Sequence, residues 1–231
     1  MMMNRTAHLK GYSLLEMMLA MSVLGIMGLM VFGSFQSLVD ATTRAERVLD
    51  KLYISETIMN QIEHSLKTAA FDGREQGKYE FLHENKDGEH PRDTFSWVSP
   101  AAIFLPSTFP TRGGLNRIEL MVDLDQGGLT ARAFSSLYDL ESPEVEDAES
   151  WLVSRQIIGI DLSFYDVNAQ DWTEDWERDN QLPVSLILTL YMKTDASDSH
   201  AVQSFQRRID IPAGEISRNI RRGERTVEES P

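Results

Sequence analysis

The stretch KGYSLLEMMLAMSVLGIMGLMVFGSF, residues 10–35, decides how the rest of the chain is read. From Met17 to Phe35 it passes through 19 residues without a charge, most of them apolar. As a helix such a run is about 28 Å long, close to the hydrocarbon thickness of a bilayer. Arg5, His8 and Lys10 precede it, and no acidic residue comes before Glu16. That positive flank places the N-terminus in the cytoplasm and the remainder of the chain beyond the membrane. A cleaved secretory signal has a shorter apolar core and then a small-x-small site, for which Gly33-Ser34 is a poor match. A plain signal anchor explains everything except Glu16. A carboxylate well inside a bilayer costs about 2.5–3.5 kcal/mol on insertion scales, less near the edge, and usually marks function.

Composition narrows the rest. The chain has 231 residues, 42% hydrophobic and 25% charged, so the part after residue 35 is long enough to bury a core. It has no cysteine, which rules out disulfides, thiolate metal sites and thiol catalysis. The formal net charge is −14, from 36 acidic against 22 basic residues. Such a surface repels phosphates, and no basic stripe with interleaved aromatics offsets it, so no nucleic-acid partner is expected. The histidines at 8, 64, 83, 90 and 200 have no zinc-site spacing. No nucleophile elbow, Walker loop or dinucleotide fingerprint occurs, and the chain is not expected to be an enzyme.

Helical periodicity continues past the apolar run. Ala45, Val48, Leu52, Met59, Ile62, Leu66 and Ala69 form one apolar stripe, with charges on the other faces. Residues 12 to about 70 therefore read as one helix roughly 85–90 Å long. Its second half is expected to pack on a globular domain. Gly25, Gly28 and Gly33 weaken the apolar half by roughly 1 kcal/mol each relative to Ala, which serves close helix packing or, alternatively, local unwinding. Beyond the polar segment 72–93, strands are expected at Phe95–Val98, Ala102–Leu105, Arg117–Asp123, Leu129–Tyr138, Gln156–Tyr165, Val184–Met192 and Ala201–Ile211. RIELMVDLDQGGLTARAF reads as a hairpin turning at Asp125-Gln126-Gly127-Gly128. No helices separate the strands, so the expected class is α+β, with a long N-terminal helix on antiparallel sheet. Residues 214–231 carry four arginines and few apolar anchors, and read as a flexible tail. Two acidic loops, 141–149 and 171–179, could supply oxygens to calcium, but neither has EF-hand order. No cofactor is expected, with calcium the one alternative.

Lys10-Gly11-Tyr12-Ser13-Leu14-Leu15-Glu16 resembles the prepilin signal of type IV pilins and type II secretion pseudopilins. The resemblance implies that a prepilin peptidase cuts between Gly11 and Tyr12 and that the new N-terminus, Tyr12, is methylated. The usual first residue is Phe, and Tyr12 keeps the aromatic. Glu16 becomes the fifth mature residue, which the family uses to meet the N-terminal amine of a neighbouring subunit. Each charge is costly alone in an apolar layer, and pairing removes part of that cost. Glu16 is thus an expected assembly contact and not a catalytic acid.

A second resemblance lies in IIGIDLSFYDVNAQDWTEDWERDNQLPVSLILTLYM, residues 157–192, which is similar to the C-terminal part of the J-type minor pseudopilins of type II secretion. Tyr165 ends a strand, Trp172 and Trp176 stand in an acidic loop, and Leu182-Pro183 leads into a last apolar strand. I-type and major pseudopilins are usually shorter, and K-type ones are longer and typically lack the glutamate. W-type minor pilins of type IV pili share the plan but often carry a disulfide, and a membrane-tethered sensor or enzyme is the more distant alternative. The resemblance implies a pilin-like organisation: leader 1–11, membrane or filament-core helix 12–35, amphipathic helix 36–71, periplasmic β-rich domain 72–213 and tail 214–231. It implies a tip subunit of the pseudopilus, anchored in the inner membrane, with I-type and K-type minor pseudopilins as partners. Trp172 and Trp176 are the candidate interface anchors, since tryptophan is enriched among hot spots, and equally fit to cover their own domain.

Overall fold

The computed structural model describes residues 13–72, 74–75, 77–101, 103–105, 114–123, 125–136, 145, 148–177, 181–193 and 202–219. The chain divides into two compact units, Met1–Leu52 and Tyr53–Pro231. One helix, α1 (Leu14–Lys67), contributes to both. Leucine, methionine and alanine, good helix formers, dominate its first turns, and no proline interrupts it. It ends where the Thr68 amide and hydroxyl both donate to the His64 carbonyl.

In the first unit, every described residue from 13 to 50 is exposed except the half-buried Thr43. Among the described residues the second unit holds two antiparallel sheets. The first runs β1 (Leu82–Glu84), β2 (Thr94–Ser99), β3 (Asn116–Asp123), β4 (Gly128–Ser135) and β5 (Ser150–Ser154), neighbours in that order. The second has the order β7-β6-β8-β9, from β6 (Ile157–Asp166), β7 (Asp171–Thr173), β8 (Ser185–Lys193) and β9 (Val202–Asp210). A long apolar N-terminal helix with antiparallel sheets is the α+β architecture the sequence pattern calls for.

The hairpin over 117–134 forms as expected. β3 pairs with β4 from Asn116↔Ser135 to Asp123↔Gly128. Gly127, at φ 80°, closes the turn with its amide on the Asp123 carbonyl at 2.9 Å. Other expectations need correction. No strand forms at 103–105, where Phe104 takes φ 55° and leaves the extended region. β1, β5 and β7 were not anticipated; each has three to five residues, too few for alternation to stand out. Residues 212–219 form a second helix, α2, where the sequence suggested a tail from 214. It is held by Ser217, whose buried hydroxyl accepts from the Leu182 amide and donates to the Gly214 carbonyl. Gly214 packs against the Pro183 carbonyl so closely that a Cβ would not fit.

The core lies between the sheets and residues 53–67 of α1. Ile58, Met59, Ile62 and Leu66 are buried at helical spacing and join Trp97, Ile118, Leu120, Leu162, Leu188 and Ile209 in one cluster. Trp97 donates its indole N–H to Ser65 at 2.9 Å, so both buried polar groups are satisfied. On the second sheet, Arg207 bonds Glu63 at 3.0 Å and also reaches Glu56 and Asn60. The upper part of the sequence stripe is different: Ala45, Val48 and Leu52 are exposed. Periodicity reveals an apolar face but not what covers it.

The two sheets are sewn together by the segment entering β2. The Ile160 amide donates to the Pro91 carbonyl at 2.9 Å and the Asp93 amide to the Ile160 carbonyl at 3.0 Å, around a parallel bridge between Arg92 and Ile160. Arg117, almost fully buried, reinforces the first sheet by donating to the carbonyls of Lys78 and Glu80 and to the Ser96 hydroxyl. Loss of solvent brings its guanidinium down to about 10, still cationic at neutral pH.

Candidate functional site

Ser13 stands just before α1 and acts as its cap. The Leu15 amide donates to the Ser13 hydroxyl at 3.2 Å, and the Glu16 and Met17 amides to the Ser13 carbonyl at 3.0 and 3.2 Å. Glu16 lies three residues after this cap, in the first turn, where the helix macrodipole favours a negative charge. The sequence reading missed this cap, although the S-x-x-E signature in Ser13-Leu14-Leu15-Glu16 announces it. Gly11 and Tyr12 lie outside the described residues. Glu16 is exposed, and so is the apolar surface that follows it, with Leu15 at 76% and Leu24 at 72%. α1 is the one helix among the described residues long and apolar enough to cross a membrane.

Residues 8–32 match the family model of the prokaryotic N-terminal methylation motif. This is a prepilin-type N-terminus. The motif indicates a type IV pilin-like protein, of a pilus or a pseudopilus, and implies processing by a prepilin peptidase and assembly into pilin-type filaments. The apolar helix is consistent with membrane anchoring of such a prepilin-like protein. No curated protein matches the chain.

The two tryptophans of the acidic loop have different surroundings. Trp176 is buried, its ring 5.5 Å from Phe164, and belongs to the core cluster. It supports its own domain, the other of the two readings the sequence allows for it. Trp172 is half-buried on the other face of the second sheet, 5.4 Å from Tyr165, with the Arg208 guanidinium 5.7 Å from its ring. Trp172 stands on β7, paired with Tyr165 of β6, whereas Trp176 lies beyond the end of β7, where strand alternation no longer sets its side.

Of the acidic loops, Glu141, Glu144, Glu146, Asp147 and Asp179 lie outside the described residues. Asp171, Glu174, Asp175 and Glu177 are exposed, and Asp166, Thr173, Asp175, Trp176 and Glu177 line an open polar hollow. Among the described residues no three His, Cys, Asp or Glu side chains come together in a group that could hold a metal ion.

A buried polar cluster at the seam of the sheets was not legible in the sequence. Asp93, 1% exposed, accepts the Leu162 amide at 2.8 Å and stands 3.2 Å from His83 Nε2. The His83 ring in turn packs edge-on against Phe164 at 4.8 Å. Burial, then the charges of Asp93 and Glu174, hold the Asp161 carboxyl above the usual carboxylate range. No motif could reveal a group assembled from β1, the entry to β2 and β6.

Proposed function

We propose that the chain is a minor pseudopilin of the type II secretion system, of the J type, placed at the tip of the pseudopilus where it helps start the filament that drives protein export across the outer membrane. Its role is structural and not catalytic. The observation that carries this reading is the match of residues 8–32 to the N-terminal methylation motif. In this reading the peptidase cuts after Gly11, Tyr12 is methylated, and Glu16 docks on the N-terminal amine of a neighbouring subunit in the inner membrane. The subclass is favoured by the order of the second sheet, where Tyr165 near the end of β6 pairs with Trp172 of β7 and Leu182-Pro183 leads to β8. Trp172 is the side chain of that region that presents itself to I-type and K-type partners. No bound cofactor is part of the proposal.

The test is co-expression of the full chain with I-type and K-type pseudopilins and the peptidase, followed by purification in detergent. The expected result is a ternary complex in which this chain begins at a methylated Tyr12. Glu16→Ala should still be cut but should lose filament assembly. Binding instead to minor pilins of a type IV pilus would assign the chain to the W-like alternative. An uncut chain whose Glu16→Ala variant keeps full function would point to a tethered sensor or enzyme.

A further inference from the structure

We propose that residues 85–93 form a strap that guards the edge of β6 against pairing with a second copy of the chain, with the Asp93 side chain standing in for a missing strand. β6 lies between β8 and β7, but β7 covers only its last part, from Phe164 to Asp166. A strand edge without a neighbour presents unpaired N–H and C=O groups and recruits other strands. Upstream of Phe164 this edge is closed in two ways. At Ile160 the strap supplies backbone: the Ile160 amide donates to the Pro91 carbonyl at 2.9 Å, and the Ile160 carbonyl accepts the Asp93 amide at 3.0 Å. At Leu162, between that bridge and β7, a side chain takes over. The Leu162 amide donates to Asp93 Oδ2 at 2.8 Å, so a carboxyl oxygen occupies the place of a strand carbonyl.

The strap is held from several directions. Asp93 is 1% exposed, and its Oδ2 also lies 3.2 Å from His83 Nε2. His83 is fixed in turn by the pairing of β1 with β2, opposite Phe95, and by its edge-on contact with Phe164. The strap closes on itself where the Arg92 amide donates to the Lys86 carbonyl at 3.0 Å, and Lys86 Nζ donates to the Thr94 hydroxyl at 3.3 Å. Asn85 reaches Asp175, beyond β7, at 3.4 Å, and His90 stacks on Tyr191 of β8 with ring centres 6.0 Å apart. β6 itself is shaped for the strap. A Cβ at Gly159 would stand 2.8 Å from the Pro91 carbonyl oxygen and 3.0 Å from the His90 Cβ, so only glycine lets the strap lie this close. Two separate residues thus carry the fit, Asp93 on the strap and Gly159 on the strand.

The sequence of β6 makes a second copy the fitting intruder. In antiparallel self-pairing about Leu162, Ile160 meets Phe164 and Asp161 meets Ser163. Apolar side chains then align on one face and no two charges oppose each other, the arrangement that stabilises cross-strand pairs.

The full chain in detergent micelles tests this, by hydrogen exchange read by mass spectrometry and by light scattering after size exclusion. Asp93→Ala removes the acceptor, and Gly159→Ala displaces the strap. Each should raise exchange over residues 159–163 roughly five- to ten-fold, the size of one lost hydrogen bond, and give larger species than the unmodified chain forms. Asp93→Asn keeps an oxygen acceptor in place and should retain both the protection and the size of the unmodified chain. Exchange over residues 118–122 of β3 is the reference and should not change. Unchanged exchange over 159–163 in the two alanine variants, lost protection without self-association, or an equal rise over 118–122 overturns the proposal.

Discussion

Trp172 and Trp176 are four residues apart in one acidic loop, yet the fold gives them opposite work. Trp176 fills the core beside Phe164, while Trp172 lies on the solvent face between Tyr165 and Arg208. Truncating a buried aromatic typically costs about 3–5 kcal/mol, so Trp176→Ala should lower the melting temperature steeply or abolish folding. Trp172→Ala removes a cation–π contact of about 0.5–1 kcal/mol and some ring packing, and should leave a folded domain. Thermal melts of the two variants, followed by circular dichroism, check this; equal losses would contradict the placement. At this scale the sequence identifies residue types well and their company poorly. Ser13 and Glu16 are a readable pair because the cap is local. His83, Asp93 and Asp161 are not, because chain neighbours say nothing about which strand edges meet.

At the scale of elements, α1 changes character along its length. The apolar face is continuous in sequence, but its buried part begins at Ile58 and includes Met59, Ile62 and Leu66. Ile62→Ala, at a position with no exposure, should destabilise the second unit by about 2–5 kcal/mol, whereas Val48→Ala at 49% exposure should change it by less than about 0.5 kcal/mol. Denaturant melts of the full chain in micelles distinguish these, and any assembly defect in a stable Val48→Ala chain would then report a contact between subunits. Arg207 offers a second test of the same element. It links β9 to Glu56, Asn60 and Glu63 of α1 from a partly exposed position. Arg207→Ala should cost about 1 kcal/mol, less at high salt, because water and ions screen such pairs. Equal losses at 50 mM and 1 M sodium chloride, about the extremes of useful screening, would argue that the side chain acts through packing alone.

For the whole molecule, net charge and individual carboxylates set the response to acid. Glu63 is held below the usual range first by its bond from Lys67 and then by Arg207, and Asp210 first by Ser185 and then by Arg208. Groups lowered in this way contribute stability above their unfolded values and lose it as pH falls through the folded ones. Asp161 works in the opposite sense. The melting temperature of the second unit should therefore change little between pH 7 and 5 and fall from about pH 4 downward. Glu63→Gln should remove part of that fall, and a melting temperature flat down to pH 3 would show that these pairs contribute nothing.

The sequence by itself determined the parts whose causes are local. An uncharged run of bilayer length, a positive flank, a glycine–aromatic–glutamate signal and alternating strands each act within a few residues, and they led to the helix, the N-terminal motif and the antiparallel class. Turn chemistry at Asp123–Gly128 fixed one hairpin for the same reason. Tertiary structure decided what depends on chains meeting at a distance: that two sheets form and not one, that residues 91–93 join them, and that α2 docks through Ser217. It decided, too, that Trp176 goes inside while Val48 stays outside. Burial is a property of the neighbours a side chain finds, and those neighbours come from elsewhere in the chain.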